Sequence, residues 1–229
     1  MSWVLANFAQ IWELTLTHVG LSVPPIILGF ILSIPLGLAA HRWRISRSVL
    51  LTICGLLYTI PSLSLFLVLP AILGTRQLDP LNVVVAMTIY AIALMARSAT
   101  DGFDSVDPDV RQSAVAVGYA PVGRFWTVEL PLAGPVLLAG IRVVSASTVS
   151  LISVGSLIGV SSLGYLFIDG LNRSFPTEII VGIVATIVVA VVFDAILVVL
   201  GRLLMPWTRS DARIARRRRR DVARLEATA

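Results

Sequence analysis

Few side chains in this sequence can make or break a bond. All 18 basic residues are arginines. The phosphate-gripping lysine of a P-loop ATPase is therefore missing, as is the lysine that Schiff-base or pyridoxal chemistry requires. The single cysteine, Cys54, lies in an apolar run and can build neither an internal disulfide nor a thiolate metal cluster. His18 and His41, the only histidines, flank one hydrophobic segment and lack the HExxH spacing by which a helix holds zinc. No GxSG-type serine nucleophile is present. A metal centre is not expected, and an enzyme would have to improvise its active site from very little. One polar stretch remains, RQSAVAVGYAPVGRFWTVELP at 111–131, set among apolar residues. It is too broken by Gly and Pro to cross a bilayer and too ordered on one side for a slack loop. Contact with another protein is the work such a segment can do, and an ordinary ordered loop is the plainer alternative.

The frame that must hold this stretch is oily. Of 229 residues, 57% are hydrophobic and 14% charged, against about 25% charged in soluble domains. The fold class expected is an all-α membrane protein. Five runs read as spanning helices, which need roughly 20 residues: about 19–40, 48–73, 81–96, 132–158 and 178–204, the third being the shortest and open to extension through Ser98. Pro61 and Pro70 fall within or near the end of the second, and the second and fourth are long enough to tilt or break. Ahead of the first span, residues 1–18 place Val4, Phe8, Ile11 and Trp12 near one helical face. That suits an interfacial helix outside the membrane and equally an extension of the first span. No arginine precedes Arg42, so the basic start of a secretory signal is missing.

Arginine placement predicts the orientation. Arg42, Arg44 and Arg47 follow the first span, Arg97, Arg111 and Arg124 the third, and Arg202 and its successors the fifth, whereas only Arg76 and Arg173 fall on the other side. The N-terminus is then outside and the C-terminus cytoplasmic. The tail 208–229 contains the run Arg216 to Arg220. A solvated tail lying against anionic headgroups is the simpler reading of it, and no nucleic-acid partner is expected. Asp194 falls midway along the fifth span, where a carboxylate is costly; it can be protonated or pair with Arg142 or Arg202. Arg97 and Asp101, four apart, suit a helix-end ion pair.

The cytoplasmic segment 107–131 predicts two short helices. Asp107 is a good N-cap, Pro108 suits the first helical position, and Asp109 complements the helix N-terminus. Gly118 fits the residue just past the helix end, giving a helix over about 108–117. A second starts near Pro121 and stops before Pro131, because proline disfavours helix in the residue before it. Such short helices are marginal alone and must pack. Phe125 and Trp126 are expected to face the membrane domain, leaving the first helix for a partner.

The segment resembles the cytoplasmic EAA loop of bacterial ABC-importer permeases: Glu-Ala-Ala, three residues, Gly, nine residues, Ile, any residue, Leu-Pro. Here the positions are Gln112, Ser113 and Ala114, then Gly118, then Val128, Glu129, Leu130 and Pro131. Gln112 and Ser113 depart from the pattern; Gln accepts a hydrogen bond but forms no ion pair. The chain is most similar to permeases for osmoprotectants such as glycine betaine, choline, carnitine and proline betaine. TIPSLSLFLVLP at 59–70, VELPLAGPVLLAGIRVV at 128–144 and SLIGVSSLGYLFIDGLNR at 156–173 carry that likeness. Val160, Ser161 and Ser162 depart from the Gly-Ala-Gly-Gly-Leu-Gly turn of the family.

The resemblance implies a permease domain over 19–207 and a separate site of ATP hydrolysis. The partners would be two ABC ATPase subunits, a second permease subunit (identical or paralogous), an extracytoplasmic solute-binding protein and membrane lipid, in a bacterial inner membrane. No cofactor would bind this chain; ATP and Mg would sit on the ATPase. Asp109, Gln112, Ser113, Ala114, Gly118, Val128, Leu130 and Pro131 would form the ATPase-coupling set. Pro61 should free a backbone carbonyl near Leu57. The candidate path comprises Tyr58, Pro61, Ser62, Ser64, Tyr90, Ser150 and Ser153, the tyrosines offering aromatic faces to a quaternary ammonium. Ordinary helix packing explains the serines equally. The alternatives are a permease for methionine or another amino acid, a secondary transporter or channel, and a passive anchor subunit.

Overall fold

The computed structural model describes residues 2–207, so the basic tail lies outside the described residues. Among them every regular element is helical. The order is α1 (Ser2–Ala6), α2 (Phe8–Arg42), α3 (Arg44–Thr59), α4 (Ser62–Leu73), α5 (Pro80–Asp104), α6 (Pro108–Ala116), α7 (Pro121–Arg124), a π-turn (Phe125–Glu129), α8 (Leu130–Ile152), a 3-10 turn (Ser153–Ile158), α9 (Tyr165–Asn172) and α10 (Pro176–Leu204). Four stretches are long and apolar enough to cross a membrane, and the bent pair α3–α4 counts as a fifth when taken as one broken span.

The boundaries differ from expectation in instructive places. The first span is longer than expected, because one helix runs from Phe8 to Arg42 through Pro24, Pro25 and Pro35. Prolines are tolerated in such helices when neighbours and hydroxyl groups meet the freed backbone. The short α1 ahead of it sets Trp3 edge-to-face on Phe175, with centroids 5.5 Å apart. The second span breaks between Thr59 and Ser62 with a bend of 101°. Ile60 and Pro61 are extended there, as the residue before a proline prefers. The expected free carbonyl is not Leu57's, which accepts from the Ile60 amide at 3.3 Å. It is Ile60's own, and the Tyr90 hydroxyl donates to it.

Helix α5 is the axle of the bundle; Val83, Ala86, Met87, Met95, Ala96, Ala99 and Phe103 are all buried. It lies tightly along α2. A Cβ added at Gly29 would come within 2.3 Å of the Ala91 Cβ, and one at Gly37 within 2.5 Å of the Ala99 Cβ. Small residues permit this approach, which is how spanning helices gain van der Waals contact in a solvent as apolar as themselves. Helix α8 crosses α5 in the same way, with Gly140 set against Ser98. His18 bridges α2 to α8: its Nε2 lies 2.9 Å from the Val149 carbonyl oxygen. That carbonyl is open because the chain tightens into 3-10 geometry, the Ser153 amide turning instead to Ser150 and Leu151.

Asp194 pairs with Arg142, not with Arg202. The contact is bidentate, Nε to Oδ1 at 2.5 Å and Nη2 to Oδ2 at 2.9 Å. The planar guanidinium fork matches both carboxylate oxygens at once. The pair ties α8 to α10, and Gly201 packed against Leu138 continues the same seam. Arg97 and Asp101 form no ion pair among the described residues.

Candidate functional site: a docking knob on the helical bundle

The knob begins at Asp107, whose side chain accepts from the Asp109 amide at 2.8 Å, with Pro108 at the first helical position. Helix α6 ends as glycine at that place dictates. Gly118 takes a φ of 95°; its amide donates to the Val115 carbonyl and that of Tyr119 to the Ala114 carbonyl, both at 3.0 Å. These paired bonds are the Schellman closure, open to glycine because the left-handed conformation costs it nothing. Asp109, Gln112, Ser113 and Gly118 are exposed, whereas Ala114 is buried beneath the helix. The Ser113 hydroxyl donates to the Asp109 carbonyl at 2.8 Å and so is occupied within the helix. Val115 and Val117 also face outward.

The second helix does not stop before Pro131. Helix α7 passes through the π-turn directly into α8, and Pro131 sits in the first turn of α8. The extra residue of the π-turn lets the Leu130 amide bond to Phe125, opening the ladder where a proline would otherwise clash with the carbonyl four residues back. The knob is therefore the base of a spanning helix, not a separate hairpin. Val128, Leu130 and Pro131 are half-buried, and the last two line an apolar cavity of about 430 Å³ with Phe30, Leu197 and Trp207. Phe125 packs on Phe103 as expected, at 5.9 Å between centroids. Trp126 does not turn inward; it stacks edge-on against Phe125 at 5.0 Å and stays 62% exposed.

The residue that sequence reasoning missed is Glu129. It is only 3% exposed. Arg124 Nε donates to its Oε1 at 2.8 Å, and Arg111 Nε stands 3.3 Å away. The other arm of Arg111 donates from Nη2 to the Phe103 carbonyl at 3.2 Å. One buried carboxylate thus clamps α6, α7 and the base of α8 to the end of α5. The available signal was a lone acid in an apolar run following two arginines. A second clasp lies nearby, where Asp104 takes His41 Nδ1 at 2.6 Å and Arg47 at 2.5 Å, joining α5 to α2 and α3.

The path candidates divide between two places. Tyr58 and Tyr90 meet edge-to-face at 5.7 Å, beside Pro61 and the half-buried Ser62 at the α3–α4 break, and Ser64 is exposed on α4. Ser150 is exposed on α8, and Ser153 stands in the 3-10 turn with its hydroxyl enclosed and unpartnered. The turn that follows is closed by hydroxyls: Ser156 to Ser162 at 2.8 Å, and the Gly164 amide to Ser162 at 3.2 Å.

The profile of binding-protein-dependent transport system inner membrane components matches residues 29–210. The chain belongs to this family. As an inner-membrane transport component it works with solute-binding and ATPase partners. It is 31% identical over 201 residues to the choline transport system permease protein OpuBB of Bacillus subtilis, covering 87% of this chain and 91% of that one. It is 28% identical to the glycine betaine/carnitine/choline permease OpuCB of the same organism, covering 90% and 94%. It is 29% identical to the osmoprotectant import permease OsmW of Salmonella typhimurium, covering 89% and 96%. The fold matches a chain of the inward-facing MetNI methionine ABC transporter with a TM-score of 0.69 at 17% identity, covering 86% of this chain and 96% of that one. A second match, an amino acid ABC transporter with histidines, has a TM-score of 0.71 at 16% identity, covering 87% and 96%.

Proposed function

We propose that this chain is the permease subunit of an ATP-driven importer for osmoprotectants of the choline, glycine betaine and carnitine class. Its relatives by sequence carry those solutes in their names, at up to 31% identity over most of both chains. The permease domain is residues 19–207. Positive charge crowds the knob end, so the knob and C-terminus face the cytoplasm and the N-terminus faces outward. Two ATPases, which hold the ATP and Mg, dock on the exposed residues of α6, with Asp109, Gln112 and Ser113 at the contact. A second permease completes the path, and a solute-binding protein delivers from outside.

The single observation that carries the mechanism is the buried Glu129, because it makes the knob rigid and continuous with α8. Movement of α6 by a closing ATPase pair is passed to a spanning helix instead of being lost in a loop. Nucleotide then biases the two states of the path by binding one of them better. The Arg142–Asp194 pairing weighs against a proton-coupled carrier, since the mid-span acid already has a partner. The test is uptake of radiolabelled choline and glycine betaine into proteoliposomes holding the complete transporter. Uptake that requires ATP on the knob side is expected; uptake driven by an ion gradient without ATP overturns the proposal.

A further inference from the structure

A cleft of about 490 Å³ opens beside the Glu129 clamp, between α6 and α7. Pro108, Arg111, Gln112, Val115 and Ala116 wall it on the α6 side, and Arg124 walls it on the α7 side. Pro108, Arg111, Gln112 and Val115 fall at i, i+3, i+4 and i+7, so they share one face of the helix.

The charge in this cleft does not balance. Arg111 and Arg124 both address Glu129, at 3.3 Å and 2.8 Å, and one carboxylate neutralises only one of two cations. A single positive charge is left over. The other acids of α6 do not take it up. The Asp107 side chain caps the helix, and neither Asp107 nor Asp109 forms an ion pair among the described residues. Acceptors are short as well. Arg124 gives Nε to Glu129 and Arg111 gives Nη2 to the Phe103 carbonyl, while the enclosed Arg111 Nε has no hydrogen bond. Each guanidinium carries five N–H donors and no acceptor. The two side chains are only 23% and 19% exposed, and a half-dehydrated cation gains more from an anion than one in open water. Around these cations the rim is apolar: Pro108, Val115 and Ala116 are all exposed. An apolar rim over a cationic floor fits an acidic side chain, whose methylenes meet the valine while its carboxylate meets the guanidinium groups.

We infer that the cleft receives an acidic side chain of the ATPase, the permease supplying the cation of the contact. The inference rests on the ATPase docking proposed above and fixes its polarity. Gln112 stands where the EAA pattern carries Glu, and an acid at that position of this chain fills the cleft from within.

The test measures binding of the purified ATPase subunit to the full-length permease in nanodiscs of zwitterionic lipid. Wild-type binding weakens as salt is raised. Q112E sets a carboxylate beside both arginines, so its Kd for the ATPase rises roughly ten- to a hundredfold, while its melting temperature holds or rises. A116E acts in the same direction, and A116K, of similar bulk and opposite charge, keeps its binding. This chain has no lysine of its own, so carbodiimide, which joins an amine to a carboxylate, links A116K to an Asp or Glu of the ATPase. Q112E and A116E that bind as tightly as wild type, or more tightly, overturn the cleft and leave the docking proposal standing. A loss of binding that A116K shares with A116E reports bulk instead of charge and also overturns it. An effect of Q112E confined to membranes containing anionic lipid gives the cleft to a headgroup and overturns the ATPase as its occupant. A wild-type permease that binds no ATPase overturns the docking proposal and the cleft together.

Discussion

At the scale of single residues, the informative side chains are charged groups that have found partners. Glu129, itself closed off from water, holds two half-buried arginines. Removing the acid leaves those cations facing each other, and breaking a buried ion pair of this kind costs roughly 3–5 kcal/mol. We expect E129A to lower ATP-driven uptake about tenfold or more while the chain still inserts, with ATPase stimulation by solute falling in parallel. Equal uptake in E129A and wild type would show that the knob does not need the clamp. Arg142 and Asp194 present a different case, since both are partly exposed on the surface of the isolated chain. D194N should reduce the yield and melting temperature of the purified protein, and the double replacement R142M/D194L should recover much of the loss. A double variant as unstable as the sum of the singles would mean that the two groups act independently. Neither partner set was fully readable beforehand. The sequence pointed to Asp194 by its position in an apolar run, but choosing Arg142 over Arg202 required the packing of α10 on α8.

The elements show where local rules sufficed and where neighbours overruled them. Asp107, Pro108 and Gly118 specify α6 by themselves, because each meets a local backbone need: a bonded amide, a preset φ and a left-handed turn. Pro131 was read by the same kind of rule as a stop. The π-turn overruled it by widening the ladder one turn earlier, and nothing local in FWTVE announces such a turn. Pro61 was legible as an interruption, but the 101° angle is set by α4 lying over α5 and the 3-10 turn. The glycines of α2 provide a matched test. Gly37 has no room for a Cβ against Ala99, whereas Gly20 meets nothing within 4 Å. G37V should push α2 from α5 at a cost of about 1–3 kcal/mol, seen as a lower melting temperature in detergent. G20A should be neutral or stabilising by up to about 1 kcal/mol. The same melting temperature for both would mean that the close seam contributes nothing.

For the whole molecule, charge asymmetry decides which side the knob faces. In a C54S background, Q112C should react with a membrane-impermeant maleimide only when the cytoplasmic surface is exposed; labelling on intact cells would invert the arrangement. Sequence alone determined that the chain is a helical membrane protein. Apolar run length is a one-dimensional property that needs no partner. It also set the proposed coupling segment at 107–131, because a twenty-residue spacing of Gly, Leu and Pro survives the departure of the motif's first two letters. Only the tertiary structure decided how that segment is held. The clamp joins Arg111, Arg124 and Glu129 to a carbonyl of α5, and the Tyr58–Tyr90 contact joins α3 to α5. Both depend on which helix faces meet, and that is fixed by small residues admitting close approach between elements far apart in the chain.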